Sequence, residues 1–448
     1  MKKNFYLGFI ALIALTVTSC SNDDVVMQSP DVNKAIEFGT YLGRDAQSRA
    51  NVLDITGLKG KGFGVFAFYT GQSTWAKANP AGGTATSTPN FMFNEEVTYS
   101  TTNNAWEYSP IKYWPEKKQD QISFFAYGPY KNNDATPAAT IQPQGKDNVN
   151  ANAVAGAPTV KFIQSIDPAL MVDFVAGVAM DQTYTVENGA QDDSKTVNFI
   201  LKHELTRVNF VAKLDRNAFS SSEDKNKTKI NITSVKIDAD ADGKFYNNAD
   251  YTFATTNDES NSDHRGTWSN HKPTTADFNL ANILNSAAAT NMGGYTENGV
   301  LLGGLAEVPL FKPEIKNESV VTQAAEYLFL IPPVQSDGTT GLAEGDKITV
   351  TFTYDIVTVD SNLSAGHSKT TATKVITLPI GVKDDTNTED NETKPNTLQQ
   401  GKAYKFTFIF GLHEIKVSAE VVDWQTAEAE GGNTEIDWGT DEPTEESN

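Results

Sequence analysis

Residues 21–49 organise this chain, and they read SNDDVVMQSPDVNKAIEFGTYLGRDAQSR. Within this stretch Ile36, Phe38 and Leu42 are apolar residues at alternating positions. Alternation with a period of two is typical of a strand that buries one face. The stretch therefore predicts a short strand that precedes the first long run of strand-forming residues.

Two arginines, Arg44 and Arg49, follow the alternating segment among small and polar residues. Such surroundings favour an exposed connection rather than a core. We interpret the order from Cys20 to Arg49 as an anchor, then a strand, then a site of proteolysis. We expect the remaining chain to form a sandwich that holds the strand until it is cut away.

A signal for lipid attachment precedes this stretch. Lys2 and Lys3 are followed by an apolar run over 5–17, which is too short for a membrane-spanning helix and is typical of a secretory signal. The motif VTSC at 17–20 matches the bacterial lipobox, in which Cys20 receives the lipid. The alternative is an ordinary signal that happens to contain a cysteine.

The composition suits short strands and turns. The chain has 448 residues, enough for two domains of ordinary size, and 39% of them are hydrophobic. A formal charge of −21 disfavours binding to nucleic acid or to anionic headgroups. Because Cys20 is the only cysteine, no intrachain disulfide can form, so burial and backbone pairing must hold the fold.

The first half of the chain contains about seven segments rich in strand-forming residues. Their spacing, with turn residues between them, predicts an antiparallel sandwich. The polar residues 132–157 predict a long surface loop. The predicted strands lie at 63–69, 91–93 with 97–99, 106–115, 122–127, 160–163, 174–180 and 197–205.

A change of phase marks the predicted boundary between two domains. Apolar residues occupy odd positions up to 205 and even positions from 208 onward. In a strand a slip of one residue turns every side chain to the other face, so we expect a bulge or a crossing between two cores near Thr206. The odd series is Val197, Phe199, Leu201, His203 and Leu205, and the even series is Val208, Phe210, Ala212 and Leu214.

The second half predicts a further set of strands. Alternation over 348–356 indicates a strand with one buried face, and 375–380 indicates a shorter one. Alternation over 404–412 and again over 415–421 predicts a terminal hairpin. We expect one short helix within 277–289. Beyond Trp424 the chain is acidic and poor in apolar residues, with Ile436 and Trp438 as the exceptions.

One segment resembles the start of a calcium-binding loop. Asp238, Asp240 and Asp242 place carboxylates at alternate positions before Gly243. The twelfth position of such a loop is Ala249 rather than a glutamate, which favours a plain acidic turn over a weak calcium site.

No arrangement in the sequence points to catalysis. It lacks the nucleophile elbow, the phosphate-binding loop and the zinc-protease motif, so we expect no enzymatic activity and no cofactor. His203 falls on the inward phase of its strand and is predicted to be a hydrogen-bonded core histidine. The aromatic residues between 106 and 114 could stack on a sugar, but their position beside prolines favours a packed corner.

Several segments, taken in order, resemble the fimbrillins, the FimA- and Mfa-type pilins of type V fimbriae in Bacteroidales. No single segment is specific, but their succession covers nearly the whole chain. The segments are the lipobox at 17–20, WEYSP with YWP within 106–115, FFAY at 124–127, LKHEL at 201–205, 327–333, and the hairpin over 406–424.

The resemblance implies a fold of two tandem transthyretin-like antiparallel β-sandwich domains, and a role as a structural subunit of a cell-surface fimbria. It implies cleavage by an arginine-specific surface protease, best placed after Arg49, with Arg44 as the alternative. Cleavage would release the strand that carries Ile36, Phe38 and Leu42.

The resemblance also implies that a C-terminal segment of a neighbouring subunit fills the vacated groove. Within 415–448, either the last strand of the hairpin or the tail around Ile436 could be that donor. The expected partners are other pilin subunits, the protease and the outer membrane through the lipid on Cys20. The alternatives are a tip adhesin or anchor lipoprotein of the same system, and a glycan-binding surface lipoprotein that does not polymerise.

These expectations divide the chain into five parts. The predicted parts are a signal peptide with the lipid-bearing cysteine (1–20), a propeptide with the removable strand (21–49), an N-terminal sandwich (50–205), a C-terminal sandwich (206–424) and an acidic tail (425–448).

Overall fold

The structure is a computed structural model. It describes residues 34–42, 52–117, 119–130, 140–144, 155–184, 195–215, 227–238, 245–256, 265–273, 278–281, 283–312, 316–317, 320–321, 327–343, 345–378, 383–384, 398–412 and 414–423.

The regular secondary structure of the described part of the chain is almost entirely β, as the sequence predicted. Two short helices, α1 (Ile55–Lys61) and α2 (Trp75–Ala78), and a 3-10 turn (Pro168–Leu170) interrupt them. The strands up to residue 214 are β1 (Glu37–Tyr41), β2 (Phe63–Gly71), β3 (Met92–Ser100), β4 (Ala105–Glu107), β5 (Gln121–Gly128), β6 (Thr140–Pro143), β7 (Thr159–Ile163), β8 (Val175–Gln182), β9 (Thr196–Ile200), β10 (Lys202–His203) and β11 (Thr206–Leu214).

The strands that follow are β12 (Thr228–Asp238), β13 (Tyr246–Thr252), β14 (Thr267–Pro273), β15 (Phe278–Asn279), β16 (Ala287–Ala288), β17 (Asn298–Leu302), β18 (Val308–Pro309), β19 (Lys316–Asn317), β20 (Val320–Val321), β21 (Leu328–Leu330), β22 (Thr349–Val359), β23 (His367–Thr377), β24 (Lys383–Asp384), β25 (Lys402–Phe410) and β26 (Ile415–Asp423). No helix in the described ranges is long and apolar enough to cross a bilayer.

The N-terminal half is built on a sheet with the strand order β10-β8-β5-β2-β3-β4. This sheet is buried on both faces, which is why β2 and β5 are apolar almost without interruption. On β2, Phe63 and Val65 belong to one hydrophobic cluster, whereas Phe66 and Phe68 belong to another. The first cluster, here named the slot cluster, contains Phe38, Phe63, Phe124, Val197 and Phe199 together with their buried neighbours.

Each face of this sheet has its own cover. On one face the β1–β9 pair packs against the sheet and contributes Phe38, Val197 and Phe199 to the slot cluster. A second sheet, ordered β14-β13-β7-β6, contributes to the other cluster, which extends from Phe66 to Val421 and is here named the central cluster. In this second sheet β7 pairs antiparallel with β13, so it joins strands from both sides of the predicted boundary at 205.

The C-terminal half contains two further sheets that pack face to face. One is ordered β18-β11-β25-β26-β24 and the other β16-β17-β12-β22-β23. Phe352 on β22 meets Phe408 on β25 with ring centroids 4.6 Å apart. The predicted terminal hairpin is confirmed, since β25 and β26 pair antiparallel from Lys402↔Asp423 to Phe410↔Ile415.

The change of phase corresponds to a crossing between the two clusters. Leu201 belongs to the slot cluster and Leu205 to the central cluster, so the chain crosses between them over four residues. The predicted crossing is therefore present, slightly before Thr206. It lies where β10 ends and β11 begins.

Three local predictions differ from the structure. The described residues within 277–289 form no helix; Phe278 and Asn279 pair with β12, and Ala287 and Ala288 pair with β17. Residues 132–157 are not all loop, because Ile141 is buried on β6. The strand predicted at 375–380 is β23, which begins much earlier at His367. In each case pairing with another strand overrides the local pattern.

Candidate functional site

Strand β1 lies in a slot between β9 and the segment around Lys112. It pairs parallel with β9 in a register that runs from Glu37↔Thr196 to Tyr41↔Ile200. Its two ends are held by further backbone hydrogen bonds. The N–H of Ile36 donates to the carbonyl oxygen of Lys112 at 2.9 Å, and the N–H of Leu201 donates to that of Tyr41 at 2.8 Å.

The apolar face of β1 fills the slot. Ile36, Phe38 and Leu42 are 2%, 5% and 3% exposed. The Phe38 ring lies with its centroid 5.8 Å from that of Phe199 on β9 and 5.9 Å from that of Phe124 on β5. Because these rings come from separate strands, removal of Phe38 would open a hydrophobic groove down to the N-terminal sheet.

Tyr108 closes the slot from the side. Its ring centroid lies 5.2 Å from that of Phe38, and its hydroxyl donates to the carbonyl oxygen of Ile36 at 2.9 Å. The same hydroxyl accepts from the N–H of Lys112 at 3.2 Å. Burial raises the pKa of Tyr108 to about 12, so the hydroxyl remains a donor at neutral pH.

The outward face of β1 carries a steric requirement at one position. A Cβ on Gly39 would lie 2.2 Å from Oδ1 of Asn198 on β9, so a glycine fits where a side chain would displace the amide. Glu37 is exposed and forms an ion pair with Lys34 at 3.1 Å. Thr40 instead shares the inward face with Phe38 and Leu42; it is buried, and its Oγ1 has no hydrogen-bond partner among the described residues.

The chain is anchored on both sides of the predicted cutting region. Leu42 is buried in the slot, and Leu53 is also 3% exposed, with its N–H donating to Oδ2 of Asp173 at 2.9 Å. Nδ1 of His203 lies 2.9 Å from the same oxygen. His203 is therefore the hydrogen-bonded core histidine that the sequence predicted. Cys20, Arg44 and Arg49 lie outside the described residues.

A buried polar cluster joins this region to the C-terminal half of the chain. Glu204 accepts from Nε2 of Gln400 at 2.6 Å and lies 3.9 Å from Nη1 of Arg265. The carbonyl oxygen of Glu204 accepts from Nε1 of Trp268 at 2.9 Å. Burial raises the pKa of Glu204 to about 7, although Arg265 and Gln400 act in the opposite direction.

The candidate calcium loop is described only in part. Asp238 accepts from the Thr351 hydroxyl at 2.5 Å and pairs with Lys236 at 3.0 Å, whereas Asp240 and Asp242 lie outside the described residues. Within the described ranges no group of three or more His, Cys, Asp or Glu side chains is placed to hold a metal ion.

The aromatic residues between 106 and 114 divide by their burial. Tyr108 and Trp114 are 8% and 3% exposed and belong to the slot cluster, while Tyr113 is about half exposed. They form a packed corner rather than a flat stacking surface. Sequence reasoning noticed these aromatics but missed that Tyr108 and Lys112 hold β1. The available signal was a tyrosine inside an apolar strand pattern, whose hydroxyl needs a partner once it is buried.

Comparisons with known proteins point in one direction. A family described as fimbrillin-like has a sequence model that matches residues 49–424. Fimbrium subunit Fim1C of Phocaeicola vulgatus is 28% identical over 424 residues, which are 92% of this chain and 93% of that protein. The crystal structure of a fimbrial protein from Bacteroides vulgatus has a TM-score of 0.62 at 25% identity, covering 88% of this chain and 100% of that one.

Proposed function

Because the chain belongs to the fimbrillin-like family and is a structural subunit of cell-surface fimbriae, we propose that it polymerises by an exchange of strands that proteolysis triggers. In the uncut chain β1 occupies the slot of its own subunit. After cleavage, a strand from a neighbouring subunit takes its place. The observation that carries this proposal is the burial of Ile36, Phe38 and Leu42 in the slot between β9 and the segment around Lys112.

The pairing of β9 supports the proposal. In the described part of the chain β9 forms its ladder with β1 alone. Departure of β1 would therefore leave an unpaired strand edge beside an apolar groove, and both features favour pairing with a strand from another chain. A subunit in this state is reactive toward its neighbours, which is the property that a polymer requires.

The position of the two arginines fits a cut that spares the folded core. Arg49, the preferred site, and Arg44, the alternative, lie between the buried anchors Leu42 and Leu53. Cleavage at either arginine would break the covalent link between β1 and the rest of the chain, and it would interrupt no described helix or strand. The match to the family model begins at residue 49, next to the preferred cut.

The energetics explain why the cut must come first. The three apolar side chains of β1 contribute about 1.5–3 kcal/mol each through burial, and each backbone hydrogen bond adds about 0.5–1.5 kcal/mol. Ordering a strand of this length costs about 1–2 kcal/mol per residue, so the terms nearly cancel. The covalent link keeps β1 at a high effective concentration, and an incoming strand cannot displace it until that link is cut.

The other predicted parts of the chain each have a role in this assembly. Cys20 carries the lipid that holds the precursor at the outer membrane, and an arginine-specific surface protease makes the cut. Residues 50–205 and 206–424 are the N- and C-terminal sandwiches, which the β7–β13 pairing fastens together. Other pilin subunits are the direct partners, and slow unfolding of each locked strand makes the fibre durable.

The test replaces both arginines. The Arg44→Ala/Arg49→Ala chain should be folded and monomeric after treatment with an arginine-specific protease, whereas the wild-type chain should assemble. Size-exclusion chromatography and negative-stain microscopy give the readout. Fibres of normal length from the double variant would contradict the proposal, and the single variants would show which arginine is used.

A further inference from the structure

The C-terminal tail repeats the sequence of β1. Residues 36–40 read IEFGT, and residues 436–440 read IDWGT. Three positions are identical and the other two exchange one carboxylate for another and one aromatic ring for another. We propose that residues 436–440 are the donor strand. They would replace residues 36–40, one for one, in the slot of a second copy of this chain. The inference rests on the proposed function and names its partner segment and register.

Each repeated position meets a requirement of the slot. Ile36 and Phe38 are buried in the slot cluster, and Ile436 and Trp438 supply side chains of the same class. Glu37 is exposed, so the carboxylate of Asp437 can occupy that position in water. The alternation of apolar and polar residues is the same in the two segments.

The glycine is the most discriminating position. A Cβ on Gly39 would lie 2.2 Å from Oδ1 of Asn198 and 3.5 Å from Cγ2 of Thr196. The tail places Gly439 directly after its aromatic residue, as β1 does. A donor with a branched residue at this position would displace the Asn198 side chain.

The match ends after Thr440, and the difference has a physical consequence. Leu42 is buried, but the equivalent tail residue is Glu442, whose carboxylate would resist burial. The donor therefore fills two apolar pockets where β1 fills three. This makes β1 the stronger occupant while it remains attached, and it agrees with an exchange that waits for the cut.

The other candidate donor fits less well. Strand β26 is paired with β25 over its whole length, from Ile415↔Phe410 to Asp423↔Lys402. Its apolar residues are Ile415, Val417, Ala419, Val421 and Val422, with neither an aromatic ring nor a glycine. To act as donor it would have to leave an existing ladder, whereas the tail follows that ladder in the sequence.

The first experiment measures binding of a labelled peptide of residues 434–442 by fluorescence anisotropy. The receptor is a chain that ends at residue 433, studied before and after cleavage by an arginine-specific protease. We expect binding only after cleavage, with the Trp438→Ala peptide weaker by roughly a hundredfold and the Trp438→Phe peptide close to wild type. Equal binding to cut and uncut chains, or full binding by Trp438→Ala, would overturn the assignment.

The second experiment tests the register in the full-length chain. Gly439→Val should block assembly, the matched tail variant Gly431→Val should not, and Asn198→Ala in the acceptor should restore assembly of Gly439→Val. Asp437→Cys should form an intermolecular disulfide with Thr196→Cys, since Thr196 is the partner of the equivalent Glu37 in the β1 register, and Asp441→Cys should not.

The outcomes separate this inference from the proposal that it extends. If Gly439→Val assembles normally while Arg44→Ala/Arg49→Ala does not, cleavage triggers assembly but another segment is the donor. If the double arginine variant assembles, the strand-exchange function itself is wrong.

Discussion

Strand β1 and the β25–β26 hairpin both have alternating apolar residues, but they are attached to the molecule in different ways. β1 pairs with one strand, β9, over Glu37–Tyr41. β25 pairs with two strands, parallel with β11 from Arg207↔Ala403 to Leu214↔Phe410 and antiparallel with β26. The hairpin contributes its buried side chains to the central cluster, whereas β1 contributes its buried side chains to the slot cluster.

The difference shows that burial of side chains does not by itself make a strand permanent. Phe38 and Phe408 are both buried, yet only β1 can leave without breaking a second ladder. A strand with a ladder along one edge, and only isolated backbone hydrogen bonds such as that from Ile36 to Lys112 on the other side, can be removed as a unit. A strand between two neighbours can leave only if the sandwich unfolds.

Loss of an aromatic side chain in the hairpin should have the largest effect on stability. Phe408 is fully buried, with its ring centroid 4.6 Å from that of Phe352 and 5.2 Å from that of Phe210. Phe408→Ala should lower the free energy of unfolding by about 3–5 kcal/mol. Urea denaturation should give the same loss for the uncut and the cut chain. A loss confined to the uncut chain would contradict the permanent attachment of the hairpin.

The corresponding change in β1 should depend on the cut. Phe38→Ala should lower the free energy of unfolding of the uncut chain by about 3 kcal/mol, because it leaves a cavity in the slot cluster. After proteolysis and removal of the released peptide, the variant and the wild type should be identical in sequence and in stability. The decisive measurement is hydrogen exchange of β9, which should become faster in the uncut variant and in both cut chains. Protection of β9 that survives cutting would mean that β1 does not guard this edge.

Glu204, which lies between the two regions, should make stability depend on pH. Its pKa is raised from 4.5 to about 7 in the folded chain, mainly by burial, so the folded state binds a proton that the unfolded state has lost. This contribution is fully present below pH 4.5 and is lost as the pH rises through about 7. Glu204→Gln should flatten that part of the stability profile, measured by urea denaturation between pH 4 and pH 8 in steps. An unchanged slope would contradict a protonated carboxyl at this position.

The smallest expected effect concerns the hydroxyl that holds β1. Tyr108→Phe removes the hydrogen bond to the carbonyl oxygen of Ile36 and should cost about 0.5–1.5 kcal/mol in the uncut chain. Since the pKa of Tyr108 is raised from 10.0 to about 12, stability should also fall between these pH values in the wild type and less in the variant. Thermal melts at neutral and alkaline pH measure both effects. Equal melting temperatures of the two chains at every pH would show that the Tyr108 hydroxyl does not hold β1 in the slot.

Local patterns predicted the strands with alternating residues well. The series Val350, Phe352 and Tyr354 and the series Phe406, Phe408 and Phe410 are buried as their positions indicate. The helix predicted within 277–289 is absent from the described residues, because Phe278 and Asn279 pair with β12 and Ala287 and Ala288 pair with β17. Short segments follow their partners rather than their own preferences.

The sequence by itself determined which side chains share a face, where the phase changes near Thr206, and that Ile36, Phe38 and Leu42 lie on one side of a strand. Those properties depend on spacing along the chain, which the backbone geometry converts directly into direction. Only the tertiary structure decided that β1 runs parallel to β9, that Tyr108 closes its slot, that Gly39 faces Asn198 and that β7 pairs with β13 across the predicted boundary. These contacts join residues far apart in sequence, and no local period specifies which distant edge a strand will meet.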